Sequence, residues 1–114
     1  MSNETKKKFF VEFPNLTKFL STQGEEIVAE YREIVRRLEC EGRLSMPLGE
    51  KLNGENLFVI RVINAGNIRV FYVYGRGKNI YGIHGYVKKT QTIPQPVLKY
   101  VRKMARELKQ ARLI

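Results

Sequence analysis

One short stretch of the chain carries chemically capable side chains at alternating positions. His84 is a proton-transfer group near neutral pH, Tyr86 is an aromatic phenol, and Lys88 is a cation. Alternate residues of a β-strand project to one face, so these three are expected in one row, with Ile83 and Val87 on the opposite face. Such a row suits the binding of a base and a phosphate of a single-stranded nucleic acid.

Each of these residues alone has an ordinary structural interpretation. His84 alone would be a hydrogen-bonded structural histidine, and Tyr86 alone would be a half-buried aromatic residue of a sheet. Lys88 and Lys89 alone would form a solvated turn. Their common register favours a functional role over these separate interpretations.

Two arginines interrupt apolar strands that precede this row. Arg61 lies in the β-branched run 57–63 and Arg69 in the run 68–74, where each faces away from its apolar neighbours. A guanidinium in the middle of a strand needs water or an anionic partner. One such residue indicates an open sheet face or a pair with a glutamate, but two in adjacent strands favour a phosphate-binding face.

The charge of the chain is segregated along the sequence. The net charge is +10 over 114 residues, a length that predicts a single domain, 1–114. Residues 1–55 hold nine basic and ten acidic residues, whereas residues 56–114 hold twelve basic residues and one acid, Glu107. A one-sided positive field favours nucleic acid, the ribosome or an acidic protein as the partner.

The composition offers few metal ligands. The chain has no aspartate, one histidine and one cysteine, Cys40, so no zinc or magnesium site can be assembled from it and no cofactor is expected. Phosphate chemistry would then proceed without a metal. RNA allows this because its 2′-hydroxyl is an internal nucleophile, and DNA does not. With no apolar run long enough to span a bilayer and no secretory signal, we expect a cytoplasmic protein.

Hydrophobic periodicity predicts the elements that carry these residues. We expect a first strand, a short helical turn, a long helix ending at Gly42, a connector, a three-stranded antiparallel meander and a helix from about Pro94. The predicted strands cover 8–13, 57–63, 68–74 and 79–87, and the helical turn covers 15–20.

The arginine strands, the run from His84 to Pro94 and the basic C-terminal helix resemble the HigB-like, phage-derived branch of the RelE/ParE toxin superfamily. The resemblance covers residues 8–111. It implies a RelE-like α+β fold, in β-α-α-β-β-β-α order, with a small antiparallel sheet and helices packed on one face.

The resemblance also implies a function. RelE- and HigB-like proteins are toxins of type II toxin–antitoxin pairs that cleave mRNA on the ribosome through metal-free attack of the 2′-hydroxyl. Arg61, Arg69 and Lys88 would then stabilise the phosphate, and His84 or Tyr86 would transfer protons. The expected RNA-binding residues are Lys89, Arg76, Lys78, Lys99, Arg102, Lys103 and Arg106.

The same resemblance leaves two functional classes open. ParE-like relatives share the fold and inhibit DNA gyrase, so a non-enzymatic gyrase inhibitor or nucleic-acid-binding module is the alternative. In either class the partner implied is a cognate antitoxin, usually a helix-turn-helix DNA-binding protein. An enzyme would also meet mRNA on the ribosome.

Overall fold

The computed structural model describes residues 5–114, which form one mixed sheet and three helices. The strands are β1 (Phe9–Glu12), β2 (Gly49–Lys51), β3 (Phe58–Val62), β4 (Ile68–Tyr74) and β5 (Asn79–Val87). The helices are α1 (Pro14–Leu20), α2 (Glu25–Glu41) and α3 (Gln95–Gln110).

The sheet has the strand order β1-β5-β4-β3-β2. Strands β2 to β5 form an antiparallel meander because short loops join them, and β1 pairs with β5 in parallel. The meander brings the two arginine strands and the strand that carries Tyr86 side by side.

Helices α1 and α2 cover one face of this sheet. Tyr31, Ile34 and Leu38 form the buried stripe of α2, and they pack with residues of β3 and β4 such as Ile60 and Val70. The helix ends at Gly42, which adopts a left-handed φ of 81° that favours glycine. This face holds the first of two apolar cores.

Helix α3 covers the opposite face and creates the second core. Val101 and Leu108 of α3 are buried against Phe71, Val73 and Ile83 of the sheet. Its outer surface is basic and exposed to solvent, so α3 is an amphipathic helix that packs on this face with its apolar side only. The arginines of β3 and β4 lie on this same face, beyond the first turn of α3.

The expected α+β class and the order of the elements are confirmed, with three differences in detail. The sheet was expected to be antiparallel, but its edge strand β1 pairs with β5 in parallel. We expected the helices on one face, but α3 lies across the sheet from α1 and α2. The segment 43–55, expected to be a connector, contributes the edge strand β2. A three-residue strand is too short to show period-two alternation, which is why the pattern did not reveal it.

A β-bulge corrects the expected orientation of Ile83. In the β4–β5 ladder Tyr72 pairs with Gly82 but Phe71 pairs with His84, so β5 carries an extra residue at this point. Ile83 therefore joins His84 on the α3 side and is fully buried, whereas it was expected on the opposite face. Val87 lies 43% exposed at the end of the strand.

The β3–β4 loop is fixed to helix α2 by a single carboxylate. Glu30 accepts hydrogen bonds from the backbone N–H groups of Ile63, Asn64 and Ala65 at 3.1, 3.1 and 2.6 Å. Gly66 follows, where a Cβ atom would lie 2.6 Å from Ile27 of α2. The loop is thus held close to the helix, and it presents Asn67 to the arginine strands.

No helix within residues 5–114 is long and apolar enough to cross a membrane.

The bulge predicts unequal costs for two similar truncations in β5. Ile83→Ala removes a fully buried side chain and is expected to lower the free energy of unfolding by ~2–4 kcal/mol. Val87→Ala is the matched control, since it also replaces a β-branched residue of the same strand, and should cost less than ~1 kcal/mol. Urea denaturation measures both, and equal costs would contradict the bulged register.

Candidate active site

Three of the expected site residues form a row across the meander. Arg61 of β3 pairs directly with Arg69 of β4, and Arg69 pairs directly with Tyr86 of β5. Directly paired residues of neighbouring strands project to the same face. Strand register therefore places two guanidinium groups and a phenol side by side on the face that α3 covers only in part.

This row lines a cleft of about 450 Å³. The sheet provides its floor, β2 provides one wall, and the segment between β5 and α3 provides the other. Its polar lining includes Glu50, Arg61, Arg69, Tyr86, Lys88 and Gln91.

Arg69 is a buried cation that has no carboxylate partner among residues 5–114. Its side chain is 6% exposed, and its Nη1 donates hydrogen bonds to Asn67 Oδ1 and the Ile68 carbonyl oxygen, both at 3.1 Å. Burial lowers the pKa of Arg69, and the adjacent charge of Arg61 lowers it further. The guanidinium nonetheless remains charged at neutral pH. It is therefore a desolvated positive charge that an incoming anion would stabilise.

Arg61 is held from the segment that precedes β2. Its Nη1 donates a hydrogen bond of 3.2 Å to the Pro47 carbonyl oxygen and lies 3.9 Å from Met46 Sδ. Its Nε atom is buried without a hydrogen-bond partner among the described residues. An unused donor of this kind, next to a second guanidinium, is available for a bound anion.

Tyr86 is oriented by a neighbouring ring. Its ring stacks on that of Phe71, with centroids 6.0 Å apart and planes 20° from parallel. Burial raises the pKa of Tyr86, the charge of Arg69 lowers it in part, and Glu50 raises it again. The phenol is therefore protonated at neutral pH and can donate a proton or a hydrogen bond.

Asn67 connects the two sides of the cleft. Its Oδ1 accepts the hydrogen bond from Arg69, and its Nδ2 donates one of 3.0 Å to the Lys88 carbonyl oxygen. The backbone N–H of Lys88 in turn donates to the Asn67 carbonyl oxygen at 2.8 Å. Because Glu30 fixes the preceding loop, Asn67 holds Arg69 and Lys88 in a defined relative position.

Sequence reasoning missed the carboxylate of the cleft. Glu50 lies on β2, opposite Val59, and its side chain is exposed at the cleft. It influences the pKa of both Arg69 and Tyr86 but makes no ion pair with either. The Asn53-Gly54 turn was the sequence signal that could have revealed Glu50. An Asn-Gly turn indicates a β-hairpin, and a hairpin extended on both sides of this turn would place Glu50 on a strand that pairs with β3.

His84 lies outside the lining of the cleft. Its ring packs at 4.9 Å from that of Tyr100 on α3, and the phenol of Tyr100 accepts a hydrogen bond from Asn15. His84 Nδ1 is buried without a partner among the described residues, and burial lowers the pKa of the imidazole. The structure thus brings Arg61, Arg69, Tyr86 and Lys88 together and leaves His84 beneath the helix.

The expected RNA-binding residues occupy three separate places. Lys89 is exposed beside the cleft. Arg76 and Lys78 lie in the β4–β5 loop, at the far end of the sheet. Lys99, Arg102, Lys103 and Arg106 are exposed on α3.

Two cations of α3 are already engaged by carboxylates. Arg102 makes a bidentate pair with Glu55, with contacts of 2.9 and 2.7 Å. Lys103 lies 4.0 Å from Glu107 on the same helix. Within the part of the chain that the structure describes, no three histidine, cysteine or acidic side chains are grouped as a metal site would require.

The fold and the cleft define a RelE-like α+β protein with a basic site on its sheet. A chain of the RelB-RelE antitoxin-toxin complex from Methanococcus jannaschii has a similar structure, with a TM-score of 0.55 and 19% sequence identity. The similarity covers 68% of this chain and 88% of that chain. At this identity it establishes the fold.

The family is established by sequence. The profile of the family described as phage derived protein Gp49-like (DUF891) matches residues 18–106. The chain therefore belongs to the Gp49-like phage-derived family. The expected RelE/ParE resemblance is confirmed for the fold, and the assignment to its HigB-like branch stays a prediction. A search of the curated proteins found no match.

The environment of His84 predicts a pH dependence of stability. Because the pKa of His84 is lowered by burial, the unfolded chain binds a proton at a higher pH than the folded protein does. The free energy of unfolding should therefore fall as the pH drops from about 7 through the ordinary histidine pKa of about 6.5. The fall should end below the pKa of the folded state.

The measurement is urea denaturation over this pH range. His84 is the only histidine of the chain, so His84→Gln should remove the decrease that begins near pH 6.5. If the variant keeps the same slope as the wild type, the imidazole is not desolvated in the folded protein.

Proposed function

We propose that this protein is the toxin of a type II toxin–antitoxin pair and cleaves mRNA on the ribosome. The observation that carries the proposal is the row of Arg61, Arg69 and Tyr86 in one cleft. Within the described part of the chain, its two cations have no carboxylate partner, and they lie beside a protonated phenol. RelE-like architecture and membership of the Gp49-like family support the same class. An anionic substrate that needs charge stabilisation and a proton donor suits this arrangement.

The cleft would bind the scissile phosphate between the guanidinium groups. Arg69 loses most of its hydration in the folded protein, and its acceptors among the described residues, Asn67 Oδ1 and the Ile68 carbonyl oxygen, are neutral. A phosphodiester would replace the missing negative charge. The guanidinium groups would stabilise the additional negative charge that develops on the phosphate in the transition state more strongly than the charge of the ground state. Such preferential stabilisation of the transition state is the requirement for catalysis. Lys88 and Lys89 would contact the neighbouring backbone.

The reaction that fits is internal transesterification of RNA. Glu50 would remove the proton of the 2′-hydroxyl, whose oxygen forms a bond to phosphorus while the bond from phosphorus to the 5′ oxygen breaks. Tyr86 would donate its proton to that leaving oxygen. The products are a 2′,3′-cyclic phosphate and a 5′-hydroxyl, so atoms and electrons balance without any further reactant.

This assignment places proton transfer on Glu50 and Tyr86, and it gives His84 a structural role. His84 packs under Tyr100 and does not line the cleft. A non-enzymatic gyrase inhibitor or nucleic-acid-binding module would need the positive charge of the site but neither Glu50 nor Tyr86. Substitutions of these two residues therefore separate the two classes.

An antitoxin partner belongs to the same proposal. The similar RelE structure was solved as an antitoxin–toxin complex. A basic cleft that cleaves cellular RNA must be blocked when the toxin is not needed, and a partner with acidic groups would do this by charge complementarity. We propose a helix-turn-helix antitoxin and a cytoplasmic location, where the ribosome is reached.

Removing Arg69 is expected to separate activity from stability. Arg69→Gln should lower the rate of mRNA cleavage on programmed ribosomes by about 100-fold or more, because one stabilising charge is lost. The free energy of unfolding should change by less than ~1 kcal/mol, since the lost hydrogen bonds are offset by relief of a desolvated charge beside Arg61. Arg32→Gln, on the opposite face, is the matched control and should retain full activity.

The outcome that contradicts the proposal is specific. A purely structural Arg69 would give an Arg69→Gln variant that is destabilised by several kcal/mol and cleaves normally once folded. Absence of any cleavage by the wild-type protein, with translation unaffected, would exclude the enzyme class.

The proton-transfer assignment predicts the pH profile of cleavage. Glu50→Gln should lower the rate by a factor of about 10²–10⁴, because no carboxylate remains to remove the proton of the 2′-hydroxyl. Tyr86→Phe should lower the rate similarly. In the wild type the alkaline decline should lie above the ordinary tyrosine range, since burial raises the pKa of Tyr86.

The control for this experiment is chemical. An mRNA with a single 2′-deoxy nucleotide at the cut position should resist cleavage, whereas the same substitution one codon away should not. Full activity of both Glu50→Gln and Tyr86→Phe would refute the assignment, and His84→Gln would then be the variant to compare.

A further inference from the structure

The thioether of Met46 lies at the cleft and is open to solvent. Met46 is one of the residues that line the cleft, and it is 62% exposed. Of the other two methionines of the chain, Met1 lies outside the described residues, and Met104 is half-buried against the core beneath α3. A reagent dissolved in water therefore reaches Met46 more readily than Met104.

A backbone turn fixes the position of this thioether. The Ser45 carbonyl oxygen accepts hydrogen bonds from the backbone N–H groups of Leu48 and Gly49, both at 3.0 Å. The Leu48 carbonyl oxygen in turn accepts the backbone N–H of Arg61 at 2.9 Å. The turn that carries Met46 is therefore joined directly to β3, beside an arginine of the cleft.

The side chain of Arg61 contacts the same turn. Its Nη1 donates to the Pro47 carbonyl oxygen at 3.2 Å and lies 3.9 Å from Met46 Sδ. A thioether sulfur is a weak acceptor, so it takes up little of the hydrogen-bonding capacity of the guanidinium. The Nε atom is buried without a partner among the described residues. Arg61 therefore keeps donors for an anion while the sulfur is reduced.

Peroxide would convert this thioether into a different chemical group. A lone pair of the sulfur attacks one oxygen of hydrogen peroxide, the S–O bond forms, and the O–O bond breaks. The proton of the transferred oxygen passes to the departing hydroxide, which leaves as water. The sulfur loses two electrons, and the peroxide is reduced. The product is methionine sulfoxide, which is polar where the thioether is apolar.

The sulfoxide oxygen would compete with a phosphate for Arg61. Because the sulfur lies 3.9 Å from Nη1, an oxygen bonded to it can reach a normal hydrogen-bond distance of about 2.7–3.2 Å from that nitrogen. A hydrogen bond from a charged donor is stronger than one between neutral groups. The oxygen also carries a partial negative charge, which repels a phosphate that binds the same guanidinium.

We propose that Met46 is a site of reversible oxidation by hydrogen peroxide, and that its sulfoxide weakens the binding of phosphate groups in the cleft. The inference rests on the proposed function in taking the cleft as a site for the phosphates of RNA. Methionine sulfoxide reductase reverses the modification. Oxidation therefore lowers the activity of the cleft, and reduction restores it.

The test measures binding of a probe that cannot be cleaved. The probe is a fluorescent 2′-deoxy trinucleotide, which supplies phosphates but no 2′-hydroxyl, and its binding is followed by fluorescence anisotropy. All proteins carry Cys40→Ser, because peroxide also oxidises a free thiol. Mass spectrometry of proteolytic peptides follows the gain of one oxygen at each methionine. We expect Met46 to be oxidised before Met104.

The expected change in affinity depends on Met46 and on Arg61. After oxidation of Met46 the protein should bind the probe about fivefold or more weakly, since a donor to the anion is lost. Treatment with the reductase should restore the affinity. Peroxide should not change the affinity of Met46→Leu, which has an apolar side chain of similar size. Met46→Gln, whose amide oxygen is an acceptor, should bind weakly without peroxide.

Arg61→Gln tests whether the effect passes through the guanidinium. This variant should bind the probe weakly, and oxidation of Met46 should weaken binding no further, because the donor that the sulfoxide occupies is absent. A further loss of fivefold or more in Arg61→Gln, as in the parent protein, would show a general disturbance of the cleft and would refute the proposed contact.

Two other outcomes would overturn the proposal. Met104 could be oxidised first, or Met46 could be fully oxidised with no change in affinity for the probe. Absence of probe binding before oxidation would overturn this inference and the proposed function together. The two otherwise fail separately, since an effect of oxidation on probe binding in a protein that cleaves no mRNA would support this inference and refute the enzyme class.

Discussion

The bulge in β5 is the constraint on which the arrangement of this protein depends. Tyr81 precedes the bulge and Tyr86 follows it, and both side chains project toward α3. Strict alternation would place an odd-numbered and an even-numbered residue on opposite faces of the sheet. Without the extra residue, Tyr86 would point toward α1, away from Arg69. The chain there requires Gly85, because a Cβ atom would lie 2.6 Å from the ring of Phe19. One inserted residue therefore allows a packed core and a polar cleft to share a face.

The cleft is held in a state that is electrostatically unfavourable without a ligand. Arg61 and Arg69 are direct neighbours, and Glu50 is near enough to affect the pKa of Arg69 but too far to pair with it. Neutral acceptors hold both guanidinium groups in place instead. Such a site is maintained by the stability of the surrounding fold, since two apolar cores and the clamp from Glu30 fix the elements that carry it. The unfavourable charge is what gives an anionic ligand its advantage.

Period-two and helical patterns were sufficient to predict most of the fold, because the apolar faces of β3, β4 and α2 are long enough to show their period. The face on which Arg61 and Arg69 lie was also predicted from this alternation, whereas their direct pairing across β3 and β4 was not. Three features did not follow. The strand β2 is too short for a pattern, the bulge has no composition signature, and the face chosen by α3 depends on packing. Because β2 was not predicted, Glu50 was not recognised as a residue of the cleft. Because the face covered by α3 was not predicted, the position of His84 beneath this helix was not expected.

The neutral and basic halves of the sequence do not form two separate regions of the folded protein. Glu50 and Glu55, from the half that is neutral overall, face Arg69 and Arg102 of the basic half. Conversely, Lys8 is brought beside the β4–β5 loop. Folding therefore neutralises part of α3, while among residues 5–114 it leaves the two arginines of the cleft without an ion pair. Since like charges side by side destabilise a folded protein by self-repulsion, the strand register that pairs Arg61 with Arg69 is electrostatically unfavourable by itself, and an anion between the two guanidinium groups would relieve this repulsion.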